Sequence, residues 1–449
     1  MPLYVTRVPT VLSLTQLEHD SAEFEKKAGL VTPEAPVLDV EGSYLPVYKY
    51  SKATVIQSKR VRSFGDLLNV PDIDDFVRSD LLVPSDGSGS DNEISSADGE
   101  VPSIGPFSPT SGMPISTFDS VLTSEWDNRA DQNLFRYDVT ACDSKLLDGK
   151  WGFISQCNEG RGAKKRATEY RIDQVVQAFD KSKFNFTKAL QKEVLFAFDI
   201  NSTSDSTDKY DLKPVRNNPS LVFINVSPIE YGHVLLVPRV LDFLPQQATP
   251  DTVLMALAMV KASDNPYFRA GFNSLGAYGT INHLHFQAYY LHAPFPIERA
   301  MTAPVTVSKK RGRDNVTVSR LVDYPVNALV YEAGDCLEEL AAMVGEACVR
   351  LAAANQPHNL IIADCGARVF LIPQCFAERQ ATGQIRQDLL DTQVNPAAFE
   401  IAGHLPLKHR PDYDKIDEEF AVDLLAAASL SKDKFAEIVQ LVLGEEDGI

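Results

Sequence analysis

Positive charge is what this 449-residue chain has least of: 43 lysines and arginines face 61 aspartates and glutamates, a formal charge of −18. Such a deficit repels nucleic acid and anionic membrane surfaces, so neither is an expected partner, and an anionic substrate must meet a local cationic site. Long apolar runs are also missing. None approaches the ~20 residues that a membrane-spanning helix requires, and Met1 to Pro9 lack the apolar stretch and cleavage site of a secretion signal. Cysteine is sparse and irregular: Cys142, Cys157, Cys336, Cys348, Cys365 and Cys375 contain no Cys-x-x-Cys pair. That excludes a paired-thiolate zinc site and a secreted disulfide scaffold. The expected compartment is the cytoplasm, with the nucleus also open to the protein. Hydrophobic residues make up 44% of the chain, enough to bury a substantial core.

Three regions are expected. Residues 1–117 form an N-terminal region that is largely flexible, because the Ser/Gly/Asp/Pro-dominated stretch from Pro84 to Pro114 cannot bury enough apolar surface to offset the entropy of ordering. Its acidic, open character leaves room for protein partners. Residues 118–330 hold the clearest pattern. Leu221–Val226 and His233–Pro238 read as a strand hairpin, and Thr249-Pro250-Asp251 opens a helix carrying Leu254, Leu257 and Val260. Strands follow at Phe268–Asn273 and Asn282–Leu291. This order makes an α+β unit on an antiparallel sheet. Residues 331–449 echo it as a degenerate second copy: a helix through Leu337–Leu351, a hairpin around Cys365-Gly366, then two C-terminal helices.

The chemistry concentrates at His283-Leu284-His285-Phe286-Gln287. In a strand these alternate, so both imidazoles and the amide share one face while Leu284 and Phe286 face the core. A metal reading of His-x-His needs further ligands that neither the cysteines nor a neighbouring carboxylate supplies. A purely structural reading leaves three polar side chains on one face beside a Gly-rich turn. Nucleophilic catalysis on phosphorus uses all three. The densest basic cluster, Arg161, Lys164, Lys165 and Arg166, is either a solvated loop or a phosphate contact.

Asn225-Val226-Ser227-Pro228, Gly232-His233-Val234-Leu235-Leu236-Val237-Pro238 and the later His-Leu-His-Phe-Gln resemble the histidine-triad superfamily, and the Gln form resembles its galactose-1-phosphate uridylyltransferase-like branch. Arg136–Cys142, Lys183–Thr187, Asn273–Ala277, Asp391–Pro396 and Gly403-His404 bring the resemblance closer to the GDP-L-galactose phosphorylases of plants and green algae, across about residues 120–435. The resemblance implies two histidine-triad-like lobes and a double displacement on a GDP-hexose and inorganic phosphate, with L-ascorbate biosynthesis as its setting. It makes His285 the nucleophile that carries GMP, with His283 and Gln287 beside it. Asn225, Asn273, Gly276 and Thr280 become substrate contacts, with Arg161 and Lys165 as candidates for the phosphates. His233 is expected to be structural. No metal or organic cofactor is required.

Gln287 carries a separate chemical argument: an amide cannot donate a proton to a poor leaving group, so it suits transfer between phosphates better than hydrolysis of amide-linked nucleotides. Three alternatives stay open from sequence: GDP-D-glucose as the substrate, a nucleotide hydrolase, and a non-catalytic GDP-sugar sensor or scaffold.

Overall fold

The computed structural model describes residues 44–51, 115–164, 170–201, 209–214, 218–305, 316–333 and 336–444. The Pro84–Pro114 stretch, Lys165, Arg166 and the acidic tail from residue 445 lie outside these. Of the expected flexible region 1–117, the described part includes a strand, β1 (Tyr44–Ser51), and the first residue of helix α1 (Thr117–Asp131). β1 pairs in parallel with β4 (Val194–Asn201) and antiparallel with β5 (Lys209–Pro214), so part of that region belongs to the main sheet.

Two copies of one unit make up the centre. The first runs β6 (Ser220–Ile224), β7 (Val234–Val237), helix α2 (Pro250–Ser263), β8 (Phe268–Asn273) and β9 (Phe286–Tyr290). The second runs β11 (Val316–Leu321), β12 (Leu329–Ala333), helix α3 (Leu337–Ala353), β13 (His358–Ala363) and β14 (Arg368–Pro373). Their spatial orders match: β8-β9-β7-β6 in one, β13-β14-β12-β11 in the other. The units join through antiparallel pairing of β8 with β13, Asn273 opposite Asn359, giving one sheet of 12 strands. A boundary at residue 330 would cut the second unit's first hairpin, since β11 and β12 pair from Val316↔Ala333 onward.

Local sequence accounts for these elements. At the start of α2, Pro250 supplies the helical φ and the Thr252 hydroxyl accepts from the Thr249 N–H at 2.9 Å. β6, β7, β8 and β13 are buried on both faces, β6 and β7 through almost wholly apolar sequence and β8 and β13 with buried polar residues as well. One face of the sheet packs on α1, α2 and α3 through Phe118, Leu257, Val260 and Leu351. The other packs on the C-terminal segments through Phe399, Leu405 and Leu424. The helices α2 and α3 touch closely: a Cβ on Gly345 would stand 2.4 Å from the Pro250 nitrogen, so only glycine fits there. On the far face of β8, Arg269 is fully buried, ion-paired to Glu298 at 2.9 Å and donating to the Leu291 carbonyl at 2.9 Å. A smaller sheet of β2 (Ser144–Leu146), β3 (Ile154–Cys157) and β15 (His404–Leu407) closes one side.

Candidate active site

A cleft holding about 1060 Å³ of space, its open mouth included, lies where β7, β9 and the β6–β7 turn meet the loop before Ala398. His285, Gln287, Asn225, Asn273, Thr280 and Arg161 all line it. The first half adds Phe184, Phe186, Phe223, Arg136 and Glu193, and the second half adds Asn395, Phe399 and Glu400. Both halves of the chain therefore build one site.

His285 stands immediately before β9, with Gln287 two residues on and inside it, so alternation brings both to the cleft. The intervening Phe286 and the preceding Leu284 are buried in the core. The Nδ1 of His285 lies 2.8 Å from the His283 carbonyl oxygen. A carbonyl only accepts, so Nδ1 carries the proton and Nε2 keeps the lone pair. Burial pushes this imidazole down to about 4, against a smaller opposing effect of that carbonyl bond, so it is neutral at pH 7. The Phe186 ring packs on it with centroids 5.1 Å apart.

His283 does not share that face. The chain bends at 281–283, where Asn282 donates to the carbonyls of Gln177 and Ala178, each at 3.0 Å. The regular strand begins only at Phe286. His283 is consequently fully buried among Phe179, Phe186 and Phe243, away from the cleft, and its Nδ1 accepts from the Phe186 N–H at 3.1 Å. Burial first, and His285 second, depress it to about 3. Its carbonyl, not its ring, meets the candidate nucleophile.

His233 sits behind Gln287. Its Nδ1 accepts from the Ile229 N–H at 2.8 Å, so the proton is on Nε2, which donates to the Gln287 Oε1 at 3.2 Å. That bond turns the Gln287 NH₂ group away from His233. Burial first, then Arg161, holds His233 well below the ordinary histidine range, keeping it neutral.

The remaining expected residues differ in exposure to the cleft. Asn225 uses its Oδ1 to accept from the Ser227 N–H at 3.0 Å, shaping the β6–β7 turn. Arg161 donates to the Ser227 carbonyl at 2.5 Å from the short helix Glu159–Lys164. Asn273 accepts at Oδ1 from Asn359 at 2.7 Å and from the Ala398 N–H at 3.0 Å, tying β8 to the second half. Gly276 does not line the cleft; its φ is +81°, and a Cβ there would stand 2.8 Å from the Ile172 carbonyl oxygen. Its role is the turn itself. Sequence reasoning assigned no part to Phe184, Phe186, Glu193 or Glu400. The stretch containing both phenylalanines was visible in the sequence, but an aromatic pair in a loop has no periodicity to mark it.

Fold and site together define a protein of two like α+β units whose halves share one cleft around a buried imidazole. Residues 117–289 match the family model described as GDPGP1-like, N-terminal domain, and residues 296–447 match GDPGP1-like, C-terminal domain. The chain is 50% identical over 330 residues to GDP-L-galactose phosphorylase 1 of Arabidopsis thaliana, covering 73% of this chain and 74% of the relative. It is 34% identical over 355 residues to GDP-D-glucose phosphorylase 1 of Homo sapiens, covering 74% and 86%. Among solved structures, a yeast Ap4A phosphorylase bound to Ap4A aligns with a TM-score of 0.47 at 14% identity, covering 71% of this chain and 99% of that one. The chain belongs to the GDPGP1-like family of nucleotidyltransferase-type phosphorylases.

Proposed function

We propose that this protein is a GDP-L-galactose phosphorylase, converting GDP-L-galactose and phosphate to L-galactose 1-phosphate and GDP. The observation that carries the mechanism is the 2.8 Å contact from His285 Nδ1 to the His283 carbonyl, which leaves a neutral Nε2 as the attacking nitrogen. In the first half-reaction its lone pair forms a bond to the α-phosphorus. The bond to the bridging oxygen breaks, and hexose 1-phosphate leaves with that electron pair. In the second, an oxygen of inorganic phosphate attacks the same phosphorus, the P–N bond breaks and the pair returns to Nε2. Neither leaving group needs a strong acid, which suits the amide of Gln287 as a hydrogen-bond donor to a non-bridging oxygen. Among the described residues Arg161 and Arg136 are the basic side chains lining the cleft, which supports giving them the phosphates. Asn225, Asn273 and Thr280 are the neutral contacts.

The sugar is assigned from relatedness: 50% identity to the Arabidopsis thaliana relatives against 34% to the Homo sapiens one. GDP-D-glucose is the alternative, and the ratio of kcat/KM on the two GDP-hexoses decides it. The catalytic reading is tested by incubating the protein with guanine-labelled GDP-L-galactose without phosphate and weighing the peptide spanning residues 281–291. Gain of one GMP on that peptide, absent in His285→Asn with at least ~10³-fold loss of rate, is the expected result. Brisk turnover without any adduct would refute it. Among the described residues no helix is long and apolar enough to cross a membrane; we place the enzyme in the cytoplasm on its sparse, unpaired cysteines. Partner binding by residues 1–117 is proposed from their composition, and deletion of residues 52–114 with activity retained but a partner lost would test it.

A further inference from the structure

The backbone of His285 is not held by the sheet. The ladder between β7 and β9 runs from Val234↔Ala288 to Leu236↔Phe286 and stops there, and the ladder between β8 and β9 ends at Gly271↔Gln287. His285 is the next residue outward from the first ladder and the second from the other. The chain leaving β7 turns away through Arg239 and Phe243, both with positive φ, and returns as Leu244-Pro245-Gln246 beside residues 282–285. There the Leu244 carbonyl accepts from the Leu284 N–H at 2.7 Å, and the Gln246 N–H donates to Asn282 Oδ1 at 2.9 Å.

The side chain of Gln246, buried to 1% exposure, takes the place of the missing strand partner. Its Oε1 accepts from the His285 N–H at 3.0 Å. Its Nε2 donates to the His285 carbonyl at 3.1 Å and to the Asn273 carbonyl at 3.0 Å. One amide thus holds both main-chain groups of His285 and joins them to the end of β8. Only a side chain with an acceptor and two donors in one plane makes all three bonds, and among the uncharged residues of this length that is glutamine. With Nδ1 fixed by the neighbouring carbonyl, these bonds complete the restraint on where Nε2 points.

We infer that Gln246 is a positioning residue for the nucleotidyl-transfer step, setting the line of approach of His285 Nε2 to phosphorus without touching substrate. The inference rests on His285 being the nucleophile. A displacement of ~1 Å at a reacting atom costs on the order of 10²-fold in rate, so a 10- to 100-fold loss is the scale expected from releasing this clamp.

The test uses the full chain with Gln246→Met, which keeps length and loses all three bonds, and Gln246→Glu, which keeps the acceptor but loses both amide donors. The rate of GMP adduct formation on residues 281–291 is measured by rapid quench with GDP-L-galactose and no phosphate, beside KM and the thermal midpoint. Support is a 10- to 100-fold slower adduct step with KM within about threefold of wild type, and with a smaller loss in Gln246→Glu than in Gln246→Met. A wild-type adduct rate in either folded variant overturns the inference, as does a loss confined to KM. If neither variant folds, amide exchange in the unaltered protein reads the same bond: a protected His285 N–H supports the clamp, and exchange at the rate of an exposed amide removes it. If wild-type protein forms no adduct, it is the nucleophile assignment that fails.

Discussion

Protonating His285 should silence it, and the structure says where that happens. Burial lowers this imidazole to about 4, whereas an exposed histidine titrates near ~6.5. At pH ~5.5 an ordinary imidazole would be only about one-tenth neutral, while His285 should keep more than about nine-tenths of its nucleophilic form. The gap of roughly 2.5 pH units corresponds to about 3 kcal/mol between protonation states. The assay is release of hexose 1-phosphate in a single turnover without inorganic phosphate, so that the ionisation of the second substrate plays no part. Sub-saturating GDP-hexose is used because kcat/KM reports the groups of the free enzyme. The rate should stay within about twofold from pH 8 to 5.5 and collapse only toward 4. An acid limb centred near 6.5, with circular dichroism unchanged, would refute the claim that burial keeps the nucleophile neutral. Stability has its own sign. The unfolded chain protonates its histidines below about 6.5, but buried His283, His285, His358 and His404 resist down to about 3–4. Stability therefore falls as pH drops through that window. Glu230, raised by burial to about 7, and Asp119, raised to about 6, act the other way, gaining stability as pH falls. The histidines outnumber them, so thermal midpoints should decline from pH 7 to 5.

Two further outcomes follow from named contacts. His233→Leu removes the acceptor of the Ile229 N–H and the donor to Gln287, so it should destabilise by about 1–3 kcal/mol and slow adduct formation about tenfold as the Gln287 amide loses its orientation; urea melts and rapid quench measure both, and an unchanged rate would separate His233 from Gln287. Arg269→Met strands the buried Glu298 carboxylate and should cost about 3–5 kcal/mol, whereas the double variant Arg269→Met, Glu298→Leu should recover much of it; equal losses in single and double variants would mean that the ion pair contributes nothing beyond packing.

Much of the first unit was legible in its sequence. β8 runs over the expected Phe268–Asn273, and α2 starts at the expected Pro250, because turn residues and caps act locally. His285 and Gln287 were legible for the same reason: period-two spacing survives wherever a strand forms. His283 was not, because the strand begins at Phe286, four residues later than the expected Asn282, and the side chain turns into an aromatic pocket. The junction of β8 with β13 left no trace either. Both strands are buried on both faces, so nothing in their alternation marks which edge meets which partner. Gln246 lay in a Pro-rich connection with no periodicity, and its value depends on main-chain groups nearly forty residues away.

The shared cleft has a hereditary consequence. Because Asn395, Phe399 and Glu400 come from the same polypeptide as the reactive imidazole, the second half of the chain is bound to keep a wall of the cleft even though it supplies no imidazole to it. Lesions in the second half should therefore be felt at the reacting phosphorus, in the very chain that carries them.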